Sequence, residues 1–183
     1  MRPLTAILSA VLAASSSAPT PPTPGSYAGD EKRAVKALSD GEIAGYLAGG
    51  GMGLARPAEL NHYPGPRHVL DLSKELGLDD AQYAALSASF DRMHAEAVRL
   101  GNAYVDAETR LDAFFARGGG SPAAMEALVA SAADRLGELR AVHLRAHLET
   151  RRILTPEQIV RYDRLRGYGA SGDPHAGHAG HER

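Results

Sequence analysis

The 183-residue chain has no cysteine, no tryptophan and only three phenylalanines. Without a thiol there can be no thiolate nucleophile, Cys-ligated zinc, iron–sulfur cluster or disulfide. With aromatic residues at 5% of the chain, a core must be built mainly from Ala, Leu and Val, which favours helices over sheets. An excess of one charge is also missing: 20 basic side chains stand against 22 acidic ones, for a net charge of -2. No Lys/Arg block occurs, so the electrostatic footprint of a nucleic-acid binder is absent. What remains as conspicuous chemistry is eight histidines.

The chain also has little in the way of long apolar runs. The clearest, Leu4 to Ala14, is 11 residues long and follows Met1 and Arg2. A permanent membrane span needs about 20 apolar residues. The run reads instead as the apolar region of a secretory signal peptide, residues 1–18, with Ser16-Ser17-Ala18 as the cleavage site. A buried N-terminal helix is the alternative, but Thr20-Pro21-Pro22-Thr23-Pro24-Gly25 cannot continue a helix. No cysteine follows to carry a lipid, so no stable membrane anchor is expected, and removal of 1–18 leaves a charge of -3.

Residues 19–29 form a Pro/Thr/Gly linker, expected to be disordered. Residues 30–65 make an N-terminal extension. It holds a short helical stretch from about Asp30 to Leu47, interrupted near Ser39-Asp40-Gly41, and then a segment too rich in Gly and Pro for regular structure. A further short helix is expected from Arg67 to Leu76. From Asp79 the pattern strengthens: Leu86, Phe90, Met93, Ala97, Leu100, Tyr104, Ala107, Leu111 and Phe114 alternate steps of four and three, the seam of a long packed helix. That helix runs from about 79 to 116, roughly 57 Å. Arg117 to Ser121 stops it, and Ser121-Pro122 starts another. Its seam reads Met125, Val129, Ala132, Leu136, Leu139, His143, Ala146, Thr150 and Ile153. Two long helices joined by a short turn must lie antiparallel, so the expected fold is all-α, a long helical hairpin with short flanking helices. Either those helices or a second copy of the chain must cover the apolar stripes the hairpin leaves open.

At Leu154-Thr155-Pro156-Glu157-Gln158 the pattern restarts as a capping box, in which Thr155 caps the N–H of Gln158 and the Gln158 side chain reaches back. Leu78-Asp79-Asp80-Ala81-Gln82 repeats the device with Asp79 as cap. The tail, 169–183, is Gly/Ala/His-rich and expected to be disordered.

Two Leu-Thr-x-x-Gln-type boxes 76 residues apart, one with Leu154, Thr155 and Gln158 and one degenerate with Leu78, Asp79 and Gln82, bracket this hairpin behind a signal peptide. In this the chain resembles the LTxxQ proteins of the Spy/CpxP family over about residues 66–168. The resemblance implies a small periplasmic helical protein that forms an interlocked homodimer. It also implies one of three roles: ATP-independent chaperone for unfolded envelope proteins, envelope-stress regulator acting on a sensor protein, or heavy-metal resistance and sensing protein. The chain departs from the pattern in Asp79, in the added Gly/Pro segment, and in a hairpin carrying nine Arg against eleven acids over 79–153.

The histidines fall into three settings. His143 and His147 are one helical turn apart and can face one ion. With the hairpin turn centred at about residue 119.5, His94, Asp91 and Glu96 come opposite. Three imidazoles and a carboxylate there would suit zinc, nickel, cobalt or copper. The alternative makes His143 a hydrogen-bonded core residue on the seam, with His94 and His147 ordinary surface side chains. His175, His178 and His181 repeat as His-Ala-Gly, which either chelates a divalent ion or simply solubilises the tail. His62 and His68 flank a Pro/Gly turn and read as structural. No cofactor is required by any of these readings, a divalent transition metal such as zinc being the one implied by the second. No Gly-x-Ser-x-Gly elbow occurs, and His143-Leu144-Arg145-Ala146-His147 lacks the Glu of the zinc metalloproteases, so no enzyme is expected.

Overall fold

The computed structural model describes residues 25–168. The expected signal peptide, the first part of the linker and the histidine tail therefore lie outside the described residues. Every regular element among the described residues is helical: α1 (Asp40–Leu47), α2 (Arg56–Glu59), α3 (Pro66–Asp71), α4 (Ser73–Leu76), α5 (Asp80–Ala116), α6 (Pro122–Ile153) and α7 (Pro156–Arg166), preceded by a 3-10 turn at Asp30–Lys32.

The long hairpin is α5 and α6. All nine residues of the α5 seam are buried or half-buried, with Leu86 and Ala97 fully enclosed. The α6 seam is buried or half-buried from Ala132 onward but fails at Val129, which is 45% exposed. Val129 lies towards the end of the hairpin where no short helix reaches. Gly118 and Gly119 take positive φ values of 91° and 77° to turn the chain, a conformation that costs a glycine nothing sterically. Ser121 then caps the N–H of Ala124.

The N-terminal extension differs from its expected outline in instructive ways. Ser39 does not interrupt a helix; it starts one. Its hydroxyl accepts from the Glu42 N–H and the Glu42 carboxylate accepts from the Ser39 N–H, a third capping box, and these bonds hold the Glu42 carboxyl below its usual pKa. The Gly/Pro segment contains one helical turn, α2. The single helix expected at Arg67–Leu76 is two, bent at Leu72, so that Val69 and Leu76 both reach the core.

These short helices cover one flank of the hairpin, α1 lying on α5, α2 on α6, and α3 against both. Two apolar cores result. The first joins Val35, Leu38 and Tyr46 to Ala97, Leu100, Tyr104, Leu139 and Val142, with Tyr46 and Tyr104 packed edge to face at 4.9 Å. The second joins Val69, Leu76, Leu86, Leu154 and Tyr162 at the open end of the hairpin.

Gly101 decides how closely α1 can approach α5. A Cβ at this position would lie 2.0 Å from the Tyr46 carbonyl oxygen, and a backbone carbonyl cannot swing aside. On helix propensity alone, Gly101→Ala would stabilise α5 by about 1 kcal/mol. The clash reverses that sign: overpacking of this kind costs about 1–3 kcal/mol. Denaturant titration of the variant is expected to show a lower midpoint than the parent, and an unchanged or higher one would mean that α1 does not seat on Gly101.

Candidate functional site

The two motif boxes start α5 and α7, and tertiary structure brings their glutamines face to face. In each box the cap side chain accepts the glutamine N–H, and the glutamine Oε1 accepts the cap N–H. The same Oε1 atoms have a second task. Gln82 Nε2 donates to Gln158 Oε1 at 2.8 Å and Gln158 Nε2 donates to Gln82 Oε1 at 2.9 Å, a reciprocal amide pair. The remaining amide hydrogens reach Ile153 O at 3.0 Å and Gly77 O at 3.4 Å. Leu78 and Leu154, which open the boxes, pack into the second core. The motif thus locks the end of α6, the start of α5 and the start of α7 together.

On the other side of α7 a strap, residues 59–65, is stitched to α6 and α7 by polar groups. Glu59 is the hub: its Oε1 accepts from the Tyr162 hydroxyl at 2.5 Å and lies 3.6 Å from Arg166 Nε, while its Oε2 accepts from the Gly65 N–H at 3.2 Å. Burial, and then this carboxylate, push the Tyr162 phenol well above its usual range. His147 Nδ1 lies 2.7 Å from Tyr63 O and 3.7 Å from Glu59 Oε2, which makes Nδ1 the protonated nitrogen. Gly65 lets the strap lie on that imidazole, since a Cβ there would come within 3.0 Å of the ring. Arg151 donates to His62 O and stacks over Tyr63 at 4.4 Å. His62, a non-glycine residue at φ 64°, places Nδ1 2.8 Å from Asp163 Oδ2.

Between strap, α3, α6 and the end of α7 lies a cavity of about 470 Å³, lined by Met52, Arg56, Glu59, His68, His143, His147 and Tyr168 among others. It gathers His143 and His147 but not His94. The His94 ring stacks on Phe90 at 5.6 Å and lies on α5 beside the backbone of Gly49. Asp91 is exposed, and Glu96 pairs with Arg99. Register alone had set these three opposite the α6 pair; His94 is packed on Phe90 and against Gly49 and is not part of the cavity wall. In place of His94 the cavity brings His68 and Glu59. Among the described residues no group of three or more His, Asp or Glu side chains is set to hold a metal by itself. His143 is 5% exposed and its Nε2 has no hydrogen-bond partner. Burial, then the neighbouring His147 and His94, lower its pKa; burial and then Arg166 do the same for His68. Both rings are therefore neutral at pH 7. The carboxylate hub and the cavity were missed from sequence, because Glu59, Tyr162 and Arg166 carry no pattern that links them.

The model of the LTXXQ motif family matches residues 66–166. The chain belongs to this family. The match spans both boxes, so the glutamine pair is the family's motif seen in three dimensions, while α1, α2 and the strap lie before it. No match is found among curated proteins or among solved structures. No helix of the described residues is long and apolar enough to cross a membrane.

Two expectations test the LTXXQ site. In an ordinary capping box Glu serves as well as Gln, but here the amide donors are needed across the pair. Gln158→Glu is therefore expected to lower stability at pH 7 by about 1–3 kcal/mol, the cost of leaving a partly buried partner unsatisfied; a neutral result would show that the cap matters and the pair does not. The second concerns pH. A histidine whose pKa is lower folded than unfolded takes up protons on unfolding, so stability is fully present above the unfolded value of about 6.5 and falls as pH drops below it. Urea midpoints are expected to decline from pH 7.5 to 5.5, and His143→Leu to flatten that decline. An equally steep decline in the variant would move the effect elsewhere.

Proposed function

We propose that this is an exported periplasmic LTXXQ protein that acts as a homodimer without any catalytic step, holding non-native envelope proteins or presenting them to a sensor. The observation that carries the reading is the uncovered flank of the hairpin. The strap side of α6 is taken by His143 and His147; Val142, Arg145 and Glu149 project on the other side of the seam. There they form, with Ser89, Arg92, Met93, Glu96 and Ala146, an open groove of about 240 Å³. Its floor is Met93, Val142 and Ala146. Its rim alternates sign, with Arg92 Nη2 2.7 Å from Glu149 Oε1. Exposed ion pairs of this kind contribute about 0–1 kcal/mol to stability, so a client's charges can replace them at little cost. An apolar floor between alternating charges suits extended polypeptide of mixed sequence, and Phe115, Leu148, Tyr83 and Val160 add exposed apolar area on the same helices and α7.

A second reading, a periplasmic metal-binding resistance or sensing protein, is favoured by one observation: His68, His143, His147 and Glu59 line a single cavity. Neutral imidazoles are ready ligands for zinc, nickel, cobalt or copper, and Tyr168, where the histidine-bearing tail begins, lines the same cavity.

The readings separate by experiment. The purified protein is expected to suppress light scattering by a chemically denatured client on dilution, with EDTA making no difference, and Met93→Glu is expected to weaken the suppression while leaving the fold intact. No suppression at any molar ratio would overturn the first reading. Suppression that EDTA abolishes would favour the second.

A further inference from the structure

Helix α7 buries one side and presents the other to solvent. Tyr162 is fully enclosed and Ile159 packs against the second core. Glu157, Val160, Arg161 and Arg164 stand at i, i+3, i+4 and i+7, one stripe of the helix, and all four are exposed. Val160, at 58% exposure, is an apolar side chain standing in water beside two arginines. Two depressions meet at Pro156 and Val160. The larger, about 500 Å³, is walled by these two with Leu154 and Ile159, and by Arg151 and His62. The smaller, about 330 Å³, adds Glu157, Arg161 and Arg164. Together they make one concave surface at the open end of the hairpin, apolar in the middle and edged by arginine.

This surface is cationic. Residues 150–168 hold five arginines against two acids, Glu157 and Asp163. Asp163 lines the larger pocket, but its Oδ2 lies 2.8 Å from His62 Nδ1, and the imidazole is the exposed partner, its side chain 55% accessible against 11% for Asp163. Among the described residues the ion pairs at this end join Asp163 to His62 and Arg166 to Glu59, and none takes Arg151, Arg161 or Arg164. Arg151 donates to the His62 carbonyl and lies over the Tyr63 ring, and Arg161 donates to the Glu75 carbonyl. Those contacts orient the guanidinium groups and leave their charge without a carboxylate to meet it. Glu157 alone offsets the stripe.

We propose that this face of α7 is a docking site for a short acidic segment of a partner protein, one that carries a large apolar side chain between aspartates or glutamates. The apolar side chain enters the pocket beside Val160, and the flanking carboxylates meet Arg151 on one side and Arg161 and Arg164 on the other. The planar fork of a guanidinium matches a carboxylate with two parallel hydrogen bonds, and no existing ion pair has to break first. A lipid surface would engage the arginines but leave the pocket empty, so the concave apolar wall favours polypeptide. The hairpin groove carries both signs and suits mixed sequence, whereas this face selects one charge.

The test is fluorescence anisotropy of a labelled Glu-Asp-Leu-Glu-Asp-Leu-Glu peptide titrated with the full chain at pH 7.5. Saturable binding is expected, weakening as salt is raised because exposed charges are screened. Arg161→Glu/Arg164→Glu is expected to lower the association constant at least about tenfold. The same variant is expected to bind a peptide with lysine at every acidic position more tightly than the parent does, a gain that a failure to fold would not produce. Val160→Asp is expected to weaken the acidic peptide as well. A peptide with serine in place of leucine that binds as tightly as the original would overturn the role of the pocket. No peptide binding, or binding to phosphatidylglycerol vesicles without binding to the peptide, would overturn the docking site. A chain that binds the peptide but suppresses no client aggregation would overturn the holding reading and leave this one standing.

Discussion

The reciprocal amide pair between Gln82 and Gln158 is the contact on which the rest of this molecule depends. A helix begins with backbone N–H groups that have no intrahelical partner, and both α5 and α7 solve this with a capping glutamine. The amide is the one side-chain group that can close a cap through its oxygen and still donate through its nitrogen. Joining the two caps places α7 at a fixed position across the open end of the hairpin. Tyr162, Asp163 and Arg166 are then presented at known places, and each becomes an anchor for the strap.

The strap shows a different kind of bonding from the cores. The cores are held by apolar area and by two tyrosines edge to face, interactions that are insensitive to pH or ions. Residues 59–65 are held by a carboxylate, two histidines and two arginines, with one residue in the left-handed region. Charged contacts at partly exposed positions contribute modestly and respond to solution conditions. The cavity lies under this adjustable segment, while the open groove lies across the hairpin on rigid helices. The cavity therefore borders a segment held by charged contacts, while the groove is walled by the two long helices.

The neutral histidines connect these parts. His143 sits on the hairpin seam at a position where Leu or Ala would pack without a desolvated nitrogen. Its presence is a local inconsistency between propensity and packing, and such inconsistencies gather at functional sites. His94, one helix away, is accommodated by stacking on Phe90 and carries no such tension.

The hairpin, its turn, the capping boxes and the family resemblance were all determined by the sequence, because each depends on periodicity or on residues within one helical turn of one another. The box at Ser39 was legible too: Ser-x-x-Glu before an apolar stretch is the same signal, obscured by Gly41 beside it. Other features have no local signature. The pairing of Gln82 with Gln158 joins residues 76 positions apart, Glu59 meets Tyr162 over 103, and His94 is taken up by Phe90 and Gly49 and not by the cavity wall. Heptad register could place residues at one level of a hairpin, but not which side of the seam a third element would cover. Only the tertiary structure decided that, because the approach of α1 to Gly101 and of the strap to Gly65 is set by where glycines leave room, and the room exists only once the helices are packed.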